Sequence, residues 1–175
     1  MILSRCRTPL LVALCGILLA ACGFQLRGSH ALPFKTIFLG GGTYSTINVA
    51  LKRQIEAGGT TQVVAAPGEA EVQLQVIRDG RSREITSLNA FGKVREYELR
   101  RYFDFRLVGR GGQERIPVTK LFIRRHLTYD DNEILAKEAE EGLLYKEMDE
   151  DLVRQLLRRL AAAQPAPPAA EPAPR

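Results

Sequence analysis

The chain has 175 residues, of which 26% are charged and 45% are hydrophobic, and its formal net charge at pH 7 is +5. This length is sufficient for one domain with a hydrophobic core. All three cysteines lie within the first 22 residues, and neither histidine, His30 nor His126, lies in a metal-ligand pattern. The composition therefore excludes a disulfide framework and argues against a metal centre.

Residues 1–21 have the pattern of a bacterial lipoprotein signal peptide. Arg5 and Arg7 precede an apolar run of about ten residues, which is too short for a membrane span of roughly 20 residues. The run ends in Leu19-Ala20-Ala21-Cys22, where two small residues precede a cysteine. We expect cleavage before Cys22 and lipid on its sulfur and its new amino group, because a thiolate is the nucleophile for acylation.

Cleavage leaves a periplasmic domain on a lipid anchor. Loss of Arg5 and Arg7 lowers the net charge from +5 to +3, and an exported, anchored chain is not expected to bind nucleic acid. Gly23 stands where an Asp would resemble an inner-membrane retention signal, so we expect the periplasmic face of the outer membrane. Residues 22–33 are predicted to be a lipidated tether.

One helix and several strands are predicted in the first half of the domain, which spans residues 34–162. Apolar residues at helical spacing predict a helix over 43–57, ended by two glycines. The Asp79-Gly80 pair is predicted to turn the chain. The strands predicted around the helix and this turn are residues 34–39, 61–65, 72–77 and 83–90.

Two long strands follow. Odd-numbered residues are mostly apolar from Tyr97 to Leu107, which predicts a half-buried strand over 94–108. A hairpin loop of arginine and glycines leads to a return strand over 116–127, where Pro117 is typical of a sheet edge.

The last element is a long helix, predicted to run from about residue 129 to 162. At this length it should overhang the sheet or kink, with Gly142 as the candidate position. Residues 163–175 are rich in proline and alanine and are predicted to be a disordered tail.

The strands carry an excess of basic residues. Residues 78–126 contain 13 Lys and Arg against 6 Asp and Glu, a net charge of +7. Rows of arginines are expected on the sheet from Arg100, Arg106, Arg124 and Arg125. Two interpretations remain open, a solvated outer face of the sheet and an anion-binding face.

No catalytic constellation is present in the sequence. No cysteine remains as a nucleophile after acylation, and no serine lies in a G-x-S-x-G setting. Acidic clusters at 140–141 and 149–151 lie on an amphipathic helix and are expected to be solvated. We therefore predict a binding or scaffolding protein, not an enzyme, with no cofactor besides the covalent lipid on Cys22.

Several stretches resemble the LptE family of lipopolysaccharide-assembly lipoproteins. Residues 22–28, Cys-Gly-Phe-Gln-Leu-Arg-Gly, are similar to the family's mature start, and Glu96-Tyr97-Glu98-Leu99 to one of its strands. Residues 132–140 are similar to the start of its last helix, and 146–148 and 155–160 continue the match. The order and spacing of these motifs carry the resemblance.

The resemblance implies an α+β fold, a two-layer sandwich of two helices packed on a mostly antiparallel sheet of four to five strands. It also implies a role without turnover, as a 1:1 plug in the lumen of the outer-membrane β-barrel LptD. Members of the family help that barrel to assemble and take part in lipopolysaccharide transport to the outer leaflet. A free-standing periplasmic lipoprotein that binds an anionic envelope lipid or polymer is the alternative.

The family's lipopolysaccharide contacts indicate candidate residues here. A basic residue at the start of the last helix corresponds to Lys137. A second basic position, in the turn before the Glu-Tyr strand, falls on or near Ala90, where this sequence departs from the family. Lys93 and Arg95 are the nearest substitutes, so the candidate lipopolysaccharide-binding residues are Lys137, Lys93 and Arg95.

Overall fold

A computed structural model describes residues 31–42 and 45–163 of the chain. The predicted signal peptide, Cys22, most of the tether and residues 164–175 lie outside the described residues. The two helices are α1 (Thr46–Ala57) and α2 (Ile134–Ala161). The strands are β1 (Thr36–Leu39), β2 (Gln62–Val64), β3 (Val72–Leu88), β4 (Val94–Gly109) and β5 (Glu114–Thr128).

The five strands form one mixed sheet in the order β2-β1-β3-β4-β5. β1 runs parallel to both β2 and β3, whereas β3, β4 and β5 form an antiparallel meander. The predicted α+β sandwich of two helices on a mostly antiparallel sheet is confirmed. The β1 pairing needs a crossover, which α1 supplies between β1 and β2.

The core lies between the two helices and one face of the sheet. Alternation along β4 buries Leu99, Phe103, Phe105 and Leu107 on this face, as the odd-numbered pattern predicts. Opposite them, the second half of α2 buries one stripe of side chains, which comprises Tyr145, Met148, Leu152, Leu156 and Leu160. The helix is therefore held through its last five turns.

The first third of α2 lies beyond the core, but the predicted overhang of the sheet is wrong, because Lys137 contacts Thr128 of β5 and Glu141 pairs with Arg83 of β3. The helix is continuous through Gly142, so it has no kink there. It exposes Leu135 and Leu143, which the predicted apolar stripe would have buried.

Among the described residues, no helix combines the length and the apolar character needed to cross a membrane.

β3 is one continuous strand, and the turn predicted at Asp79-Gly80 is wrong. Both residues pair with β4, and the only nearby irregularity is a register shift at 76–78. The Asp79 carboxylate accepts hydrogen bonds from Arg101 and Ser45, and the Gly80 carbonyl also accepts from Arg101. Polar groups that favour a turn are thus satisfied by tertiary partners instead.

A buried arginine connects the two layers. The Arg101 side chain is 7% exposed and forms ion pairs with Asp79 on β3 and Asp149 on α2. Its Nε lies 2.6 Å from Asp149 Oδ1. At the start of α1, Ser45 and Thr46 donate hydrogen bonds to Asp79 and Asp149, at 2.6 and 2.7 Å. One network therefore joins β3, β4 and both helices.

Most of β3 is a sheet edge. β1 pairs only with Val72–Leu74, so within the described residues no strand pairs with residues 75–88 on the side away from β4. The long meander therefore projects beyond the parallel part of the sheet. The first third of α2 and the β3–β4 hairpin turn lie at this projecting end.

Candidate functional site

Lys93 and Arg95 line one cleft at the end of the β3–β4 hairpin, which we name the hairpin cleft. Its volume is about 440 Å³. One wall is the hairpin turn, and the other is the β5–α2 connection at residues 129–132. The structure thus brings two of the three predicted basic residues together.

The hairpin turn is shaped by its own polar groups. The Asn89 side-chain carbonyl accepts hydrogen bonds from the backbone N–H groups of Phe91 and Lys93, at 2.9 and 3.0 Å. Gly92 has a φ of 76°, a left-handed conformation that glycine adopts without strain. These features set the direction in which Lys93 leaves the turn.

The opposite wall is fixed by the backbone and by one aromatic pair. The Tyr129 N–H donates to the Arg95 carbonyl at 2.9 Å, and the Tyr129 ring packs edge to face on Tyr97 at 5.1 Å. Asp130 then accepts from the backbone N–H of Asn132 at 2.9 Å, which caps the short helical turn before α2. The cleft therefore has two ordered walls.

Acidic residues in the hairpin cleft offset its basic ones. Lys93 Nζ lies 3.0 Å from Asp131 Oδ2, and Asp130 also lines the cleft. Because both partners of the Lys93–Asp131 pair are well exposed, water screens the attraction and the pair is weak. An anion with two charges can therefore compete with Asp131 for Lys93.

Lys137 lies near the hairpin cleft but does not line it. Its Nζ is 2.9 Å from Glu140 Oε2 and 3.3 Å from Thr128 Oγ1, and its side chain is only 15% exposed. Thr128 directly precedes the wall residue Tyr129. The three candidate residues thus occupy one end of the molecule, with Lys137 on its helical side.

The predicted rows of arginines are divided between the two faces of the sheet. Arg100 and Arg124 pair across β4 and β5 on the outer face, away from the helices. The prediction that Arg125 belongs to the same row is wrong. Arg125 lies on the helical face, where its Nη2 is 2.8 Å from Asp151 Oδ2 on α2. Side chains alternate along a strand, so neighbours in sequence cannot share a row.

The outer face contains a charged cluster around Glu98. Arg100 Nε donates to the Glu98 carboxylate, and Arg100 also pairs with Glu84. This hydrogen bond, followed by the charges of Arg100, Arg124 and His126, lowers the pKa of Glu98 against the opposing effect of burial. The acids on this face neutralise much of its basic charge, which favours the solvated-face interpretation.

We expect acid to destabilise the protein in part through Glu98. Its folded-state pKa is below the ordinary 4.5, so the unfolded chain binds the proton more readily. The stabilisation is present above about pH 4.5 and is lost as the pH falls through the folded-state pKa. Glu98→Gln should therefore flatten the decline in the free energy of unfolding below about pH 5, measured by urea denaturation. An equally steep decline in the variant would contradict this role.

Sequence reasoning missed a second polar cluster, which lies between β3 and the first half of α2. Arg83 Nη1 lies 2.7 Å from Glu141 Oε2, and the Tyr145 hydroxyl donates to the Ser82 carbonyl at 2.9 Å. Burial raises the pKa of Tyr145 above its ordinary value. No local sequence motif predicts these contacts, because the residues that form them are 58 and 63 positions apart in sequence.

This architecture is that of a class of solved bacterial lipoproteins. The chain is similar to lipoprotein B from Nitrosomonas europaea, with a TM-score of 0.69, 34% identity and coverage of 80% of this chain and 91% of that one. It is also similar to the rare lipoprotein B from Shewanella oneidensis, with a TM-score of 0.64, 26% identity and coverage of 73% and 95%.

Sequence comparison defines the family. The profile described as "LptE: Lipopolysaccharide-assembly" matches residues 34–160, which include the hairpin cleft and Lys137. The LPS-assembly lipoprotein LptE of Pectobacterium atrosepticum is 28% identical over 156 residues, which are 86% of this chain and 83% of that protein. The LPS-assembly lipoprotein LptE of Yersinia enterocolitica is 28% identical over 157 residues, which cover 86% of this chain and 73% of that protein. The chain belongs to the LptE family.

Proposed function

We propose that this protein is a lipopolysaccharide-assembly lipoprotein of the outer membrane. In this proposal lipid on Cys22 anchors it at the periplasmic face, and it plugs and helps to assemble an LptD β-barrel as a 1:1 partner. It takes part there in lipopolysaccharide transport and insertion into the outer leaflet. The observation that carries the proposal is the LptE profile match over residues 34–160.

The shape of the domain supports a role as a plug. The 17 residues of β3 give the sheet a length of about 56 Å at roughly 3.3 Å per residue. The 28 residues of α2 add a parallel rod of about 42 Å. Such an elongated, two-layer body suits the lumen of a wide barrel, since outer-membrane barrels of about 22 strands are known to hold plugs.

The hairpin cleft supports binding without turnover. No Ser, Cys or His is found among the described residues that line it, and its two carboxylates have structural partners, in the cap of the turn before α2 and in the ion pair with Lys93. We therefore propose no catalytic role and no cofactor besides the covalent lipid.

In this proposal the end of the domain that contains the hairpin cleft contacts lipopolysaccharide. Phosphates of the glycolipid accept charge-assisted hydrogen bonds from Lys93 and Arg95 in the hairpin cleft, and from Lys137 beside it. Exchange of the weak Lys93–Asp131 pair for a phosphate frees a cation at small cost, because that pair is solvent-exposed. Such binding weakens as salt is added.

Mild-detergent extraction of outer membranes that contain the tagged full chain tests the proposal. We expect co-purification with one large β-barrel at a 1:1 ratio, recognised by its heat-modifiable migration on a gel. A tagged protein that elutes alone would instead support the free-standing lipoprotein that binds an anionic envelope lipid or polymer. The excess of basic residues in 78–126 is the observation that favours this second candidate.

A further inference from the structure

Four large apolar side chains at the projecting end face solvent. They are Leu88 at the end of β3, Phe91 in the hairpin turn, and Ile134 and Leu135 at the start of α2. Phe91 is 89% exposed and Leu135 is 82% exposed, more than any other large apolar residue described. We name these four residues the apolar tip.

The contacts across the hairpin cleft bring together the two chain segments that carry the apolar tip. The Lys93–Asp131 pair, at 3.0 Å, links the hairpin turn to the segment before α2. Phe91 lies two residues before Lys93, and Ile134 lies three residues after Asp131. The apolar tip therefore flanks the cleft that contains Lys93 and Arg95.

Burial within this chain does not explain these residues. The core is filled by side chains on the helical face of the sheet, and the apolar tip lies beyond the buried half of α2. Clustered large apolar groups in water are unfavourable and mark a binding surface. Single exposed apolar residues such as Val49 on α1 and Val118 on β5 lie elsewhere and need no such explanation.

The charges around the apolar tip indicate the chemistry of its occupant. Lys93, Arg95 and Lys137 lie within or beside the flanked cleft, opposed there by Asp130, Asp131 and Glu140. Cations next to a solvent-facing apolar surface are complementary to an amphiphile that carries phosphates beside hydrocarbon chains. A wholly polar ligand leaves the apolar tip unused.

We propose that the apolar tip binds the acyl chains of the anionic glycolipid whose phosphates contact Lys93 and Arg95. This inference rests on the proposed lipopolysaccharide role. It adds contacts with the acyl chains of the glycolipid to the proposed contacts with its phosphates. Recognition then has two separable parts, one electrostatic in the hairpin cleft and one hydrophobic at the apolar tip. The electrostatic part adds affinity for any ligand that carries the phosphates, and the hydrophobic part adds affinity only for a ligand that also carries the acyl chains.

Two probes with the same phosphates separate the two parts. We would measure binding of the full-length, membrane-extracted protein to fully acylated lipopolysaccharide and to the same material after its acyl chains are removed. Phe91→Ser with Leu135→Ser should weaken binding of the acylated probe about tenfold or more and leave that of the de-acylated probe unchanged. Val49→Ser with Val118→Ser is the matched control, since both residues are exposed apolar positions distant from the tip.

Each other outcome overturns the inference. An unchanged affinity of Phe91→Ser/Leu135→Ser for the acylated probe, or an equal loss for both probes or in the control pair, removes acyl-chain binding from the apolar tip. Loss of barrel co-purification with retained binding of the acylated probe would make the tip a protein contact. If the unaltered protein binds neither probe, the proposed lipopolysaccharide contact fails as well. Phe91→Ser alone, in an exposed turn, repeats the test should the double variant not fold.

Discussion

Arg101→Met should lower the free energy of unfolding by about 2–4 kcal/mol. The substitution removes the buried cation and leaves Asp79 and Asp149 close together without a positive partner. The expected loss is below the largest values for buried pairs because both carboxylates keep some contact with solvent. Urea denaturation at pH 7 measures the loss.

Two further variants distinguish the network from a general effect of arginine removal. Arg124→Met should cost less than about 0.5 kcal/mol, because that side chain is 68% exposed and lies 4.0 Å from its partner Glu98. Replacement of Asp79 and Asp149 by Asn in the Arg101→Met background should recover part of the loss, since no unpaired charge remains. A loss below about 1 kcal/mol in Arg101→Met would show that the network contributes little.

Lys93→Glu, Arg95→Glu and Lys137→Glu together should weaken lipopolysaccharide binding by about 100-fold or more. Each change removes a charge-assisted hydrogen bond to phosphate and adds repulsion. The remaining affinity should also depend less on salt concentration, because fewer cations face the ligand. Titration of the purified protein with lipopolysaccharide at two ionic strengths measures both effects.

The matched control reverses three exposed charges far from the hairpin cleft. The control combines Lys52→Glu and Arg53→Glu on α1 with Arg159→Glu at the end of α2. It changes the net charge of the protein by the same amount as the first triple variant. This triple variant should bind almost as tightly as the unaltered protein. Unchanged binding in the Lys93, Arg95 and Lys137 variant, or an equal loss in the control, would remove these residues from the site.

Local patterns in the sequence predicted most of the fold. The alternation in β4 identified Phe103 and Phe105 as core residues, because a strand with one buried face must have a period of two. Arg101 lies on the same face of β4. The alternation predicts that this residue is buried, but it does not explain why a charged side chain is buried there. Its partners Asp79 and Asp149 are 22 and 48 residues away, and only the packed structure reveals them.

The prediction of a turn at Asp79-Gly80 failed for a related reason. The pair has strong turn propensity, but β4 offers partners along the whole of β3, and that pairing outweighs the local preference. Arg125 was assigned to a row with Arg124 because the sequence excess of charge does not distinguish the faces of a sheet. The register then placed it opposite Asp151 of α2.

The candidate site was predictable only in part. The resemblance to the family indicated Lys137 directly. It indicated Lys93 and Arg95 only because they are the basic residues nearest to Ala90, where this sequence departs from the family. The sequence did not indicate that Asp131 would pair with Lys93, or that Lys137 would lie against Thr128. Both contacts depend on how the β5–α2 connection meets the hairpin, which no periodicity encodes. Cys22 lies outside the described residues and stays a prediction.

The unpaired edge of β3 has a consequence for self-association. An open strand edge of this length is a template on which a second copy can form a shared sheet, the first step towards aggregation. Arg78, Arg81 and Arg83 lie along this edge. Charged side chains on an edge strand disfavour such pairing, because a second copy would have to remove water from them to form the shared sheet. The charged residues of β3 thus help to keep copies of the protein apart, independently of any ligand.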